Sequence, residues 1–290
     1  MAGAAVDAIT YADLFDWPLS AAEVHRFLPV LARPAEVVGA LETCVSSGLV
    51  STAGGLYVLP GREGLVARRR EREATSARLW TRAARACRVL AALPWIRLVA
   101  VSGSLAVGAA DEDADVDLFI VTVDGRLWLA RALTILVGRA LARPDDGGDA
   151  WLCPNYMVTT SALALPERDE FTAHELAQLV PLHGLETYRA LLAANTWYRD
   201  YLPNHPGHTA PVSALRRRPV GRAVEPLAHD RLFARLERWE RDRKIARLAL
   251  RGSSSEVRFD ATTCKGHYGE HRRRTMQALR SRTRIEAATT

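Results

Sequence analysis

The sequence predicts an α+β fold: a mixed β-sheet with flanking helices, set between an N-terminal module of helices and a hairpin and a helical C-terminal region. Two observations carry this reading. Apolar runs rich in β-branched residues at 96–102, 115–122 and 151–160 have the length and bounds of strands. Helical periodicity fills 61–93, 126–142 and the chain from Pro166 onward. The 290 residues suffice for two or three small domains, each with its own core. With 48% hydrophobic and 25% charged residues, the composition is that of a soluble globular protein.

The elements follow in chain order. Residues 5–15 have helical apolar spacing. Ser20 and Glu23 form a capping box that starts a second helix. Pro34 fits the first turn of a third helix that runs to about Ser47 and ends at Gly48. Residues 49–59 read as two short strands around a Gly54-Gly55 turn. Three helices and a hairpin are the order of a winged helix-turn-helix. However, residues 35–47 carry no Lys or Arg to read a major groove, so structural or protein docking is favoured over DNA binding. Residues 61–94 form a basic linker helix stopped by Pro94, 95–165 form the core, and 166–290 the helical C-terminal region. Pro154 marks the third strand of the core as an edge or as irregular. Two charged helices are expected at about 227–250 and 269–285.

The chemistry concentrates at 102–117. A strand runs into Ser102-Gly103-Ser104, and ten residues later comes Asp115-Val116-Asp117. Glycine lets a phosphate approach the backbone, and the following amides with the Ser104 hydroxyl can donate to its oxygens. Asp115 and Asp117, one residue apart on a strand, put both carboxylates on one face. Such a pair at the start of a buried strand calls for a cation, and Mg²⁺ takes oxygen ligands and bridges to phosphates.

This pattern resembles the nucleotidyltransferase fold of the DNA polymerase β superfamily: an apolar strand, Gly-Ser, about ten residues, then Asp-x-Asp among apolar residues. The likeness covers 96–122, and the order of elements continues it to about Thr160. It implies that Gly103 and Ser104 hold the terminal phosphates of a nucleoside triphosphate, with ATP the expected one. It also implies that Asp115 and Asp117 hold Mg²⁺ and that a nucleoside monophosphate passes to an acceptor hydroxyl as pyrophosphate leaves. The superfamily places a third carboxylate on a later strand, but 151–160 contains no acid. Asn155 stands at its centre, and Asp149 precedes it with the same parity. Either Asp149 reaches in, or Asn155 takes the ligand role with the base elsewhere, or the site binds nucleotide without turnover. An asparagine can ligate but cannot act as a base, and Asn155 as an ordinary hydrogen-bonded strand residue stays open. The layout is also similar to that of a group of uncharacterised nucleotidyltransferase-domain proteins, through residues 11–19, 172–175 and 195–197.

Several features remain outside that core. Residues 61–90 hold nine Arg and three Glu, and 265–284 hold Lys265, six Arg and one Glu. Both patches suit phosphate-bearing partners, or else are solvated helix faces. Lys265 is a candidate phosphate contact. His267 and His271 have metal-ligand spacing, against which Gly266 and Gly269 argue by weakening a helix. Thr172 reads as an N-cap with Glu175 at the third helical position, which makes His174-Glu175 a capped helix surface. Tyr188, Trp197, Tyr198 and Tyr201 read as core. Cys44, Cys87, Cys153 and Cys264 are too far apart for a metal site and read as reduced thiols, with Cys153 a small buried residue. No run reaches the roughly 18 apolar residues of a membrane span. Residues 1–16 lack a basic n-region, so a cytoplasmic protein is expected. The acceptor stays open between small molecule, protein and RNA. The alternative function is a catalytically inactive nucleotide- or nucleic-acid-binding regulator.

Overall fold

The structure, a computed structural model of the chain, describes residues 1–142, 151–207, 231–249, 257–266 and 271–289. Helices α1 (Ala2–Asp13), α2 (Ala21–Arg26) and α3 (Pro34–Ser46) precede a hairpin of β1 (Ser51–Ala53) and β2 (Leu56–Val58). Ser20 and Glu23 close the predicted capping box, with the Ser20 amide donating to the Glu23 carboxylate at 2.8 Å. Tyr57 exchanges backbone hydrogen bonds with Leu19 at 2.7 and 3.1 Å, which pins the hairpin to the segment before α2. This unit has its own core of Ala5, Ile9, Leu19, Val24, Leu28 and Leu41.

The long helix α4 (Leu65–Ala91) leads to β3 (Ile96–Val101), α5 (Gly103–Ala106), β4 (Val116–Thr122), α6 (Leu127–Ala140) and β5 (Leu152–Thr159). Then come α7 (Glu170–Gln178), β6 (Val180–His183), α8 (Leu185–Ala194), α9 (Tyr198–Tyr201), α10 (Arg231–Ala249), β7 (Val257–Phe259), β8 (Thr263–Gly266) and α11 (His271–Thr289). Six strands form one mixed sheet in the order β6-β3-β4-β5-β8-β7. Only β4 and β5 are parallel, and α6 crosses between them, as a parallel pair requires.

The fold is thus α+β with helices on a six-stranded mixed sheet. The expectation of a helical region over 166–290 needs correction, because β6, β7 and β8 lie within it and join the sheet. These strands are three or four residues long and include Pro181 and Gly266, too short and interrupted to give a period-two signal. Pro154 does not mark an edge. It lies in the interior strand β5 at a register shift, where β5 advances three residues (Cys153 to Tyr156) against two of β4 (Asp117 to Phe119). A bulge accommodates a residue with no N–H to donate and re-aims its neighbours.

The sheet is buried on both faces. Val99, Val101, Leu118, Ile120 and Met157 face α4 and α6, where Leu90 and Trp128 are fully buried. Leu98, Ala100, Phe119, Val121 and Val158 face α7, α8 and α9, with Tyr188 and Tyr198 in that core as the sequence predicts. Asn195 is fully buried and fully bonded: it accepts from the Leu165 amide and donates to the carbonyls of Leu163 and Leu191. It ties the β5–α7 connection to α8, so its role is structural.

Six of the nine arginines of 61–90 are engaged by the protein itself. Arg62 and Arg68 pair with Asp13 and Asp16, Arg69 with Glu23 and Glu73, and Arg72 with Asp111. Arg78 pairs loosely with Glu112, and Arg82 lies over the Trp151 ring. They fasten α4 to the N-terminal unit and to the loop ahead of β4. Among the described residues no helix is long and apolar enough to cross a membrane.

Candidate functional site

The site forms where β3 ends. Its last residue, Val101, pairs with Leu118, and the Ser102 amide then donates to the Asp117 carbonyl at 2.9 Å. The chain must turn at once, and Gly103 does so with φ +65°, a left-handed conformation open chiefly to glycine. A Cβ on Gly103 would lie 2.5 Å from Asp117 Oδ2, so the second carboxylate presses directly on the glycine. Ser104 follows in the short helical turn α5, which is held from outside: Ala109 donates to the Ser104 carbonyl at 2.8 Å and Ala110 to Ser76 Oγ of α4 at 3.0 Å.

Asp115 is exposed one residue ahead of β4, and Asp117 is half-buried within it. They share a field. Burial first, then the charge of Asp115, push the Asp117 carboxyl up to about 6, against a hydrogen bond from Cys153. Cys153 lies opposite Asp117 on β5, and burial with the two aspartates pushes its thiol up to about 12. A thiol so held is a hydrogen-bond donor to the carboxylate and no nucleophile at neutral pH.

Asn155 stands at the β5 bulge and faces the α7 side of the sheet. With Ser102, Phe119, Thr172 and Glu175 it lines a void of about 20 Å³, room for about one water-sized molecule. Asp149 lies outside the described residues, as does His267. The side chain of His271 is also outside them. Lys265 is 2% exposed on β8, with its Nζ 3.5 Å from Glu167 and 4.9 Å from the centre of the Tyr156 ring. It faces acids of the protein, and its field opposes the rise of Glu175.

Glu175 is the residue that the sequence reading missed. That reading capped α7 at Thr172 and left His174-Glu175 on the surface. The structure corrects it: Asp169 is the N-cap, accepting from the Thr172 amide at 2.9 Å, and α7 begins at Glu170. Within α7, His174 and Glu175 point inward. His174 is 5% exposed and stacked on Tyr11, with ring centres 3.8 Å apart. Burial, and then the charges of Asp117, Glu167 and Asp169 against that of Lys265, push the Glu175 carboxyl up to about 7. Glu175 lines both the small void beside Asn155 and a larger cavity that reaches Gly103 and Ser104.

Among the described residues no three His, Cys, Asp or Glu side chains are gathered as a metal cluster. Two carboxylates share the site: Asp117, which lies against the Gly103 turn, and Asp115, whose charge acts on it. Carboxylate oxygens are the donor type that a hard divalent cation takes. The chain matches no protein-family model, no curated protein and no solved structure.

Proposed function

We propose that the protein is a Mg²⁺-dependent nucleotidyltransferase. It would move a nucleoside monophosphate from a nucleoside triphosphate, ATP first among them, to an acceptor hydroxyl. One observation carries the reading: the Asp117 carboxylate lies against Gly103, so the Gly-Ser turn meets the second acid of the Asp-x-Asp pair. The order of elements supports it: the Gly-Ser strand, the Asp-x-Asp strand, a helix and β5 follow one another as the resemblance implies. The three helices and hairpin of the N-terminal unit resemble a winged helix. Its α3 carries Glu36 and Glu42 and no Lys or Arg, which disfavours contact with DNA.

Asp115 and Asp117 would hold the cation, which when bound neutralises triphosphate charge and draws electron density from the reacting phosphate. Gly103 leaves the phosphates room against the backbone, and the Ser104 hydroxyl donates to a phosphate oxygen. Glu175 supplies from α7 the carboxylate that β5 lacks, and accepts the proton of the acceptor hydroxyl. The acceptor oxygen bonds the α-phosphorus while the bond to the bridging oxygen breaks and pyrophosphate departs. Most of the rate comes from positioning and charge neutralisation.

The test is incubation with each labelled nucleoside triphosphate and Mg²⁺, with pyrophosphate measured and acceptors read by mass spectrometry. Asp115→Asn and Asp117→Asn should each cut turnover at least a hundredfold with the fold retained. Undiminished turnover in the double variant would sink the reading. Asn155 in place of an acid favours a second reading, a nucleotide-binding regulator, which predicts saturable Mg²⁺-dependent nucleotide binding with no pyrophosphate from any acceptor.

A further inference from the structure

The N-terminal unit and the sheet do not close on each other. A cavity of about 440 Å³ lies between them, within the roughly 300–1,000 Å³ of small-molecule sites. Gly103, Ser104 and Glu175 border it at one end. The rest of its wall comes from both units and includes a set of rings among small apolar and charged side chains. The His174 ring of α7 lies between Tyr11 of α1, at 3.8 Å and 10°, and Phe27, at 5.2 Å and 28°. Phe15 and His205 extend this row of rings at its two ends.

A row of rings could serve only to glue two units together. Glue, however, packs, and protein interiors leave few voids larger than a water. Here the space stays open while Phe15, 45% exposed, stands at its wall. His174, part of that wall, also carries an unused polar atom. His174 Nδ1 is buried and makes no hydrogen bond among the described residues. Burial and the neighbouring His205 push this imidazole down to about 3, so it is neutral and offers either a donor or an acceptor. Two cationic side chains line the cavity: Arg72, held by both carboxylate oxygens of Asp111 at 2.8 and 2.9 Å, and Arg26. The ringed part of the wall thus suits a flat ring, with anionic groups left to the Gly103-Ser104 turn and Arg26.

We propose that this cavity binds a planar nitrogen-bearing ring of the nucleobase type, stacked among the rings of the two units and hydrogen-bonded to His174. The choice of a nucleobase rests on the nucleotidyltransferase reading, whereas the cavity and its open nitrogen do not. The N-terminal unit then acts as half of a substrate pocket. The ring belongs either to the nucleoside triphosphate or to the acceptor, and the two sources separate by experiment.

Adenosine, guanosine, cytidine and uridine, which lack phosphate, are titrated calorimetrically into the full-length protein, and Mg²⁺-tripolyphosphate is titrated separately. At least one nucleoside should bind saturably. His174→Leu and Gln178→Trp, the latter filling the cavity from the last turn of α7, should weaken it at least tenfold. Phe15→Ala, at an exposed position that leaves folding intact, should weaken it severalfold. All three should bind Mg²⁺-tripolyphosphate as wild type does. Competition between the nucleoside and its triphosphate assigns the ring to the nucleotide, and simultaneous binding assigns it to the acceptor. Two results overturn the proposal: no nucleoside binds, or nucleoside binding is unchanged in Phe15→Ala and Gln178→Trp. Failure of the nucleotidyltransferase reading would look different, as loss of tripolyphosphate binding and of turnover with nucleoside binding intact.

Discussion

A carboxylate that presses on a glycine and faces a second carboxylate is held at a cost to the folded state. Asp117 rises from 3.8 to about 6, so between those values the folded protein holds a proton that the unfolded chain has released. Stability therefore falls as pH climbs through that window and stays lower above it, by up to about 3 kcal/mol. Asp117→Asn removes the charge and nearly keeps the shape. Its melting temperature should exceed that of wild type at pH 7.5, with the gain shrinking toward pH 4. Added Mg²⁺ should stabilise wild type and leave the variant unmoved. Thermal melts at the two pH values, with and without Mg²⁺, decide this, and a variant less stable than wild type at pH 7.5 would show that no charge strain exists. Gly103 gives the complementary case. Gly103→Ala must take φ +65° and put a methyl 2.5 Å from Asp117 Oδ2. Strain and displacement together should cost about 1–3 kcal/mol by denaturant titration and abolish the Mg²⁺-dependent stabilisation. An alanine variant that Mg²⁺ still stabilises would mean that the contact between turn and carboxylate is dispensable.

At the scale of elements, much of the site's frame is legible in the chain because its signals are local. The Ser20–Glu23 box, Pro34 at the start of α3, the Gly54-Gly55 hairpin and the β3-turn-β4 run each depend on residues within a few positions of one another. What stays illegible depends on distant partners. Glu175 reads as surface when α7 is judged by its own sequence, and the strands and N-terminal unit packed around α7 make it an inward residue. The strands β6, β7 and β8 gain their identity from a sheet that β3, β4 and β5 have begun, since alone they are too short to signal. Helix α6 is a further instance. No side chain of its own caps it. Instead Glu237 of α10, more than a hundred residues away in sequence, accepts from the amides of Trp128 and Leu129, both at 2.8 Å. That carboxylate is 6% exposed and sits against the positive end of the helix. Glu237→Ala leaves two amides at a buried helix start without their acceptor and should cost roughly 1–3 kcal/mol, with Glu237→Gln costing less. Urea midpoints measure both. A loss in Glu237→Ala no larger than that of an exposed-site control such as Glu42→Ala would remove α10 from the account of how α6 is held.

For the whole molecule, the question is what keeps the N-terminal unit seated so that it can form one side of a site whose Gly-Ser turn belongs to the sheet. Arg69 of α4 carries much of this. The residue is 8% exposed, and its guanidinium bonds both oxygens of Glu23 at 2.8 and 3.1 Å, reaches Glu73 at 2.8 Å and the Pro18 carbonyl, and lies 4.5 Å over the Trp17 ring. Burial raises the Glu23 carboxyl, but hydrogen bonds from Arg69 and Ser20 outweigh it and hold it below its ordinary 4.5. A lowered carboxylate contributes stability that is present above the unfolded value and lost as pH falls through the folded one. Arg69→Ala removes several bonds at once and leaves Glu23 partly buried without its cation, which should cost about 2–4 kcal/mol at pH 7. The loss should be smaller below pH 4, where Glu23 in the variant takes up a proton. Because the bonds of Arg69 run to the N-terminal unit while the sheet core lies elsewhere, the variant should also unfold in two steps. Trp17 and the α1–α3 amides would lose protection first in hydrogen exchange, and Leu98–Val101 of β3 would keep theirs. If protection falls equally in both regions and unfolding stays a single transition, the two units form one cooperative body, and a cavity between them could not open to admit a ligand without loosening the sheet as well.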